Sequence, residues 1–454
     1  MKKTVFILGL SCFAISSFAQ TKEADNFSFS VQQAINFAME NQNNVKNVVI
    51  DEEIAHQKVK EIFGMGLPQI NSSFDSKIFL DIPTSVIPAA AFGDPRGGLN
   101  AVKFGTQYQA SAGFDISQML FSGDYFLGLQ ASKVYVDLSS KATQRTKIET
   151  AATVSKAYYT VLLNEERMKL MDANIVRVKT ALDGTQGLYL TGFVEKIDLD
   201  RLTVTYNNLL VEKEKVGRLL DLGKYLLKYQ MGMNSEASLA LTDKLADVKF
   251  DVTNNVSAEK FDYSKRVEFS LLETQHRLAQ LDLKRNRLSG LPNAFAYGGS
   301  SANAFRRTYS FFNIDASPVP RWYPTSLIGA KVVMPIFSGF QKSAKTQQSK
   351  LSLQKAENNI ESLKKAIDLE LINSMTMLQN AAVSLENQKK NIVVAEDVYR
   401  VSKMKYEQGV GTYIEMLTSE TSLKEAQTNY ISALYDALVA KIDYDKANGA
   451  LGTK

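Results

Sequence analysis

Apolar positions along this chain change their spacing twice, and the whole pattern then recurs. From Val154, the positions Val154, Ala157, Val161, Asn164, Met168, Met171, Ile175, Val178 and Leu182 alternate steps of three and four, the spacing of a coiled-coil seam. The positions 217 residues further on, Leu371, Ser374, Leu378, Ala381, Leu385, Gln388, Ile392, Ala395 and Tyr399, repeat the seam and are again mostly apolar. No proline interrupts Asp124 to Leu190 or Gln341 to Gln408. The pattern therefore predicts one helix over 124–190 and another over 341–408, each about 100 Å long at a rise of about 1.5 Å per residue. Shorter helices are expected over Val31–Phe63 and Glu195–Met231.

Just ahead of each long helix the period falls to two. Ile70, Phe74, Ile78 and Leu80, with Ser72 and Ser76 between them, oppose the polar Gln69, Asn71, Ser73, Asp75 and Lys77. Tyr108, Ala110, Ala112, Phe114 and Ile116 oppose Gln107, Gln109, Ser111, Asp115 and Ser117 in the same way. Strands are expected over about 68–80 and 104–118 in the first half, and over about 292–300 and 325–337 in the second. The strand at 292–300 alternates poorly and is expected from the repeat. Strands of about ten residues suit the staves of a membrane barrel, the alternative being a soluble sandwich. The connections Asp81–Lys103 and Ser301–Pro324, rich in Pro, Gly, Ala and aromatics, are expected as long loops. Within the second, Trp322 and Tyr323 mark either a lipid interface or a local aromatic cluster.

The repeat extends to motifs. Leu120-Phe121-Ser122-Gly123 returns as Ile336-Phe337-Ser338-Gly339, Gly66-Leu67-Pro68 as Gly290-Leu291-Pro292, and Tyr189, Gly192 and Gly232 as Tyr406, Gly409 and Gly449. One structural unit used twice is expected, over 20–245 and 246–454. Each copy has two strands, and four strands cannot close a transmembrane barrel, whose minimum is about eight. Open strand edges are not tolerated in lipid, so such a barrel must be shared between chains.

Composition narrows the chemistry. The 454 residues include one Cys (Cys12) and two His (His56, His276), which leaves no room for Cys/His zinc sites or dithiol chemistry. A formal charge of +5 does not suggest nucleic-acid binding. Lys2-Lys3, the apolar run Val5–Ile15 and the small residues ending at Ala19 read as a signal peptide over 1–19, whose removal takes Cys12 with it. No later run is long and apolar enough for a membrane-spanning helix. No catalytic group, cofactor or metal site is expected, since nothing in the sequence brings two carboxylates into a dry cleft.

The order of helix, Leu-Pro strand, loop, strand, Phe-Ser-Gly, long helix, glycine turn and helix, given twice, resembles the TolC family of outer-membrane efflux channels. The most specific pieces are Pro335-Ile336-Phe337-Ser338-Gly339, the turn Tyr406-Glu407-Gln408-Gly409-Val410-Gly411-Thr412 with Ile414-Glu415-Met416-Leu417, and Ala447-Asn448-Gly449. The resemblance implies an α+β fold in which long helices form a periplasmic α-barrel and four strands per chain complete a transmembrane β-barrel by trimerisation. It further implies a homotrimer in outer-membrane lipid, partnered by a periplasmic adaptor and an inner-membrane transporter. The turns Thr191-Gly192-Phe193-Val194 and Gln408-Gly409-Val410-Gly411-Thr412 would be where adaptors dock. Asp198 and Glu415, each six residues after its turn glycine, match the family's constriction, and three copies of each would favour cations. Their alternative role is to complement a helix dipole. Thr418 stands where the family has a second acid, Gly411 where it has a basic residue, and Tyr406 is retained as a latch partner or core residue. The competing function is a periplasmic or secreted coiled-coil rod that scaffolds the envelope.

Overall fold

The computed structural model describes residues 26–93, 97–245, 261–311 and 322–451. The expected signal peptide and Cys12 lie outside them. In chain order the elements are β1 (Asn26–Phe29), α1 (Val31–Asn41), α2 (Asn43–Gly64), β2 (Gln69–Ile78), β3 (Thr84–Pro88), β4 (Leu99–Lys103), β5 (Tyr108–Phe121), α3 (Gly123–Leu190), α4 (Lys196–Met231), β6 (Ser238–Leu241), α5 (Val267–Leu288), β7 (Asn293–Arg306), β8 (Tyr323–Val333), α6 (Gln341–Glu407) and α7 (Tyr413–Ala447). The fold is α+β. The chain forms two compact units, each drawing segments from both halves of the sequence. Of the described residues, one takes those within 26–43, 149–245 and 374–444, and the other those within 44–148, 261–373 and 445–451.

The second of these units holds a four-stranded antiparallel sheet in the order β2-β5-β7-β8. Its register places Ile70 opposite Ile116, Gly298 and Ile328 in successive strands, so even-numbered residues share one face across all four. That face carries Ile70, Phe74, Ile78, Phe114, Ile116, Ile328 and Val332, all exposed, with Ile328 at 92%. Gln69, Asn71, Asp75, Lys77, Asp115 and Lys331 take the opposite face. The helices follow the strand order. Thr143 on α3 donates to the Val48 carbonyl of α2 (3.1 Å), Lys141 on α3 reaches Thr274 of α5 (2.7 Å), and Asn286 on α5 reaches Ser349 of α6 (2.7 Å). The sequence α2, α3, α5, α6 thus repeats β2, β5, β7, β8. In the same unit the Arg266 guanidinium, 5% exposed, bonds Glu268 (3.0 Å), Glu370 (2.9 Å) and the Ala447 carbonyl (2.8 Å), tying the start of α5 to α6 and the end of α7. Burial works against its charge, but these carboxylates outweigh it and hold its pKa above the ordinary value.

In the other unit the α3 seam is a core. Val154, Ala157, Tyr158 and Val161 pack with Ala34 and Ala38 of α1, Leu227 and Met231 of α4, and Ile431, Leu434 and Leu438 of α7. α1 opens with a capping box between Ser30 and Gln33. The parallel pair β1–β6 is anchored by Tyr158, whose hydroxyl meets the Phe29 carbonyl (2.9 Å) and Asp243 (3.0 Å).

Several boundaries differ from the expected ones. Asp81–Lys103 is not an irregular loop throughout, because Thr84–Pro88 and Leu99–Lys103 pair as a hairpin. The stretch Val31–Phe63 is two helices, broken at Gln42, whose backbone is extended. β8 stops at Val333 rather than 337, since Pro335 has no N–H to give to the ladder. β7 runs to Arg306, well past the poorly alternating stretch, because it is paired on both sides. Small residues are required there: a Cβ on Gly299 would lie 3.0 Å from the Phe114 carbonyl and 2.7 Å from Asp115 Oδ1. Trp322 packs with Phe311, Ala110, Ala304 and Tyr108, a local cluster.

Candidate functional site at the helical turns

The two turns between long helices are built alike. After α3, Gly192 (φ +80°) donates to the Tyr189 carbonyl (3.0 Å) and Phe193 to the Leu188 carbonyl (2.9 Å). After α6, Gly409 (φ +73°) donates to Tyr406 (3.0 Å) and Val410 to Lys405 (3.0 Å). Each is a Schellman motif with glycine at the left-handed position, where a Cβ would be strained. Phe193 and Val410, which correspond in the repeat, are 80% and 76% exposed. Thr191, Gln408 and Thr412 are also exposed, whereas Val194 and Gly411 are half-buried. Gly411 lies against the last turn of α6: a Cβ there would be 2.9 Å from the Lys405 Cβ. This position therefore has no room for the basic side chain expected from the resemblance.

The four expected gate residues occupy different surroundings. Asp198, in the first turn of α4, lies 3.7 Å from Arg201. Glu415 is exposed and reaches back to the Thr412 N–H (3.4 Å), while the Thr412 hydroxyl accepts from the Glu415 N–H (3.2 Å), a capping box at the start of α7. The Thr418 hydroxyl donates to the Ile414 carbonyl (2.8 Å). Tyr406 sits half-buried with its ring edge-on to Tyr413 (6.0 Å) and its hydroxyl 3.4 Å from that of Thr185 on α3. Beneath the turns a second core gathers Met171, Val178 and Leu182 of α3, Leu202 and Leu209 of α4, and Tyr413 and Met416 of α7.

Sequence reasoning missed one polar cluster in this core. Glu420 on α7 has a side chain only 8% exposed, and its Oε1 lies 3.9 Å from the Arg177 Nε of α3. Neither atom has a hydrogen-bond partner among the described residues, and neither does the Tyr413 hydroxyl. Arg177 bonds Asn174 and lies 5.8 Å from the centre of the Tyr399 ring. Burial raises the Glu420 pKa above the ordinary carboxylate value, partly offset by Arg177 and Lys403. Burial, with Glu420 and Asp198 nearby, raises that of Tyr413 as well. A signal was present. Tyr413, Met416, Glu420, Leu423, Gln427, Tyr430 and Leu434 alternate three and four, so Glu420 and Gln427 are polar residues at seam positions.

His56 is exposed on α2. His276 faces Glu357 at 3.7 Å. No group of three or more His, Cys, Asp or Glu is placed to hold a metal among the described residues. Among them, too, no helix is long and apolar enough to cross a membrane.

Residues 270–450 match the family described as outer membrane efflux protein. The chain is 24% identical to the outer membrane protein TolC of Escherichia coli, over 99% of this chain and 87% of that one. It is 21% identical to the toluene efflux pump outer membrane protein TtgC of Pseudomonas putida, over 76% of this chain and 69% of that one. The fold matches the open-state MtrE outer membrane channel of Neisseria gonorrhoeae with a TM-score of 0.71 at 16% identity, covering 92% of this chain and 88% of that one.

Proposed function

We propose that this chain, a member of the TolC family of outer-membrane efflux proteins, is a passive exit duct whose wall is completed only by assembly. It is an outer-membrane channel of the kind that serves efflux or type I secretion. The observation that carries the duct reading is the sheet β2-β5-β7-β8: an even-numbered face with exposed apolar residues on β2, β5 and β8, a largely polar odd-numbered face on β2 and β5, and no strand beyond β2 or β8 among the described residues. Unpaired edge N–H and C=O groups cost several kcal/mol each in lipid. Copies of the chain pairing β8 to β2 remove both edges. Three copies, as the family resemblance implies, give twelve strands from four per chain. Exposed apolar residues on α4 (Val204, Val211, Leu222, Tyr229) and on α6 (Val383, Val393, Val394, Val398) support lateral helix contacts between copies.

In this reading the two halves, 20–245 and 246–454, are copies of one unit. The left-handed glycines at Gly192 and Gly409, and at Gly232 and Gly449, support that. The turns form the periplasmic end, where exposed Phe193 and Val410 give a periplasmic adaptor an apolar foothold, and an inner-membrane transporter supplies the driving force. Asp198 and Glu415, repeated around the axis, favour cations. The chain does no chemistry of its own. Opening is a shift between two arrangements of the turn helices, biased by whichever one the adaptor binds better.

Purified trimer in planar bilayers is expected to conduct with a preference for cations that Asp198→Asn and Glu415→Gln together reduce. Absence of conductance from wild type and variant alike would overturn the duct. Recovery in the soluble envelope fraction without heat-modifiable migration would favour the scaffold rod.

A further inference from the structure

The strand-to-helix junction Pro335–Lys345 holds features that the duct does not use. Ile336 is 93% exposed, and Phe337 and Phe340 are each 77% exposed, their rings edge-on at 5.7 Å. Phe340 has φ +65° and is the only non-glycine with positive φ among the described residues. For a bulky side chain that conformation is uncommon and strained. The strain coincides with a ring pair held out into the surroundings. Exposed apolar side chains of this kind are favoured at the boundary between acyl chains and headgroups.

Next to this apolar group lies a cleft of about 450 Å³ between the end of α5, the start of α6 and Asp124 at the start of α3. Ile336 forms part of its wall. Its cations are Arg285, Lys342 and Lys345, against Asp124 as the one acid in the lining. Arg285 is held by Asp282 at 3.4 Å, while Lys342 and Lys345 are exposed and make no ion pair among the described residues. Apolar strand face, aromatic pair and cationic cleft therefore follow one another in the order of an acyl chain, its glycerol region and its phosphate.

We propose that this cleft seats the phosphate of a glycerophospholipid of the periplasmic leaflet, with Lys342 and Lys345 as its charge partners and Phe337 and Phe340 beside its acyl chains. The proposal rests on the outer-membrane reading above. It adds a specific lipid site, selective for anionic headgroups, to the nonspecific apolar band. Basic residues at a membrane surface each contribute on the order of 1 kcal/mol toward anionic lipid, about fivefold in binding per residue.

The test is native mass spectrometry of the detergent-purified trimer offered equal amounts of phosphatidylglycerol and phosphatidylcholine. Wild type is expected to retain phosphatidylglycerol over phosphatidylcholine by at least about fivefold. Lys342→Gln/Lys345→Gln is expected to bring the ratio to about one, and Lys389→Gln/Lys390→Gln, far along α6, to leave it unchanged. Heat-modifiable migration and bilayer conductance of the same samples show that the barrel is intact, so loss of the lipid site is separable from failure of the duct. If the double variant does not assemble, Lys345→Gln alone is measured and is expected to lower the ratio severalfold. An unchanged ratio in the Lys342/Lys345 variants would overturn the site. So would displacement of phosphatidylglycerol by inorganic phosphate, which would make the occupant a free anion.

Discussion

Leu202 tests whether the core beneath the turns holds the turn helices together. It is fully buried on α4, four residues after Asp198, in the cluster with Val178, Leu182 and Met416. Leu202→Ala removes three carbons from a site with no water contact, about 2.4 kcal/mol at about 0.8 kcal/mol per carbon. If the walls do not collapse, a cavity of roughly 70 Å³ adds about 1.7 kcal/mol, for a total near 4 kcal/mol. The cluster joins α3, α4 and α7 only locally, so this loss should appear as local opening rather than global unfolding. Amide exchange across 199–209 and 413–417 should accelerate by about fiftyfold if the site collapses and by up to about a thousandfold if it does not. Channel opening in bilayers should become more frequent in parallel. Thr203→Ala, an exposed neighbour whose hydroxyl bonds the Leu199 carbonyl (2.9 Å), is the control and should stay within about twofold of wild type. If Leu202→Ala also stays within about twofold, the cluster does not hold the turn helices and the gating argument fails.

Glu420, whose folded pKa is raised by burial, binds its proton more tightly in the folded than in the unfolded chain. The stability of the core beneath the turns is thus greatest below the ordinary carboxylate pKa and declines as pH rises through the raised one. Local exchange near Tyr413 should follow that slope in wild type and lose it in Glu420→Gln, and a slope retained by the variant would assign it to another group. A Cβ on Gly232 (φ +70°) would meet the Asn41 carbonyl at 2.5 Å, whereas one on Gly192 (φ +80°) meets nothing within 4 Å. Gly192→Ala should therefore cost about 1–2 kcal/mol from backbone strain alone, and Gly232→Ala should cost distinctly more in thermal unfolding. Arg266→Met leaves Glu268 and Glu370 without their shared cation and should destabilise by about 3 kcal/mol, read from denaturant midpoints.

Much of this architecture was legible because long helices and alternating strands write their periods plainly. The nine α3 seam positions from Val154 to Leu182 are all buried or half-buried, as the spacing requires. The even face of β2 and β5 lies where alternation put it. The turn glycines were legible because only a residue without Cβ takes positive φ freely. The strand β7 was not, since Gly298, Gly299 and Ser300 are chosen for closeness to β5 and β8 rather than for exposure. The hairpin Thr84–Pro88 with Leu99–Lys103 was hidden because its strands are five residues each and do not alternate apolar with polar. The Arg177–Glu420 pair escaped because a carboxylate in a helical stripe reads as solvated until a neighbouring helix covers it.

By itself, the sequence determined long helices preceded by two-period strands, with glycine turns at fixed places, in an order that recurs once along the chain. Each of these follows from local periodicity and backbone sterics. The tertiary structure decided which strands neighbour one another, β5 against β7 across the repeat boundary, and that the helices keep the same order. It also decided that Gly411 has no space for a side chain and that Glu420 is a buried acid rather than a surface one. Those outcomes depend on how closely separate segments approach, a distance that no single segment encodes.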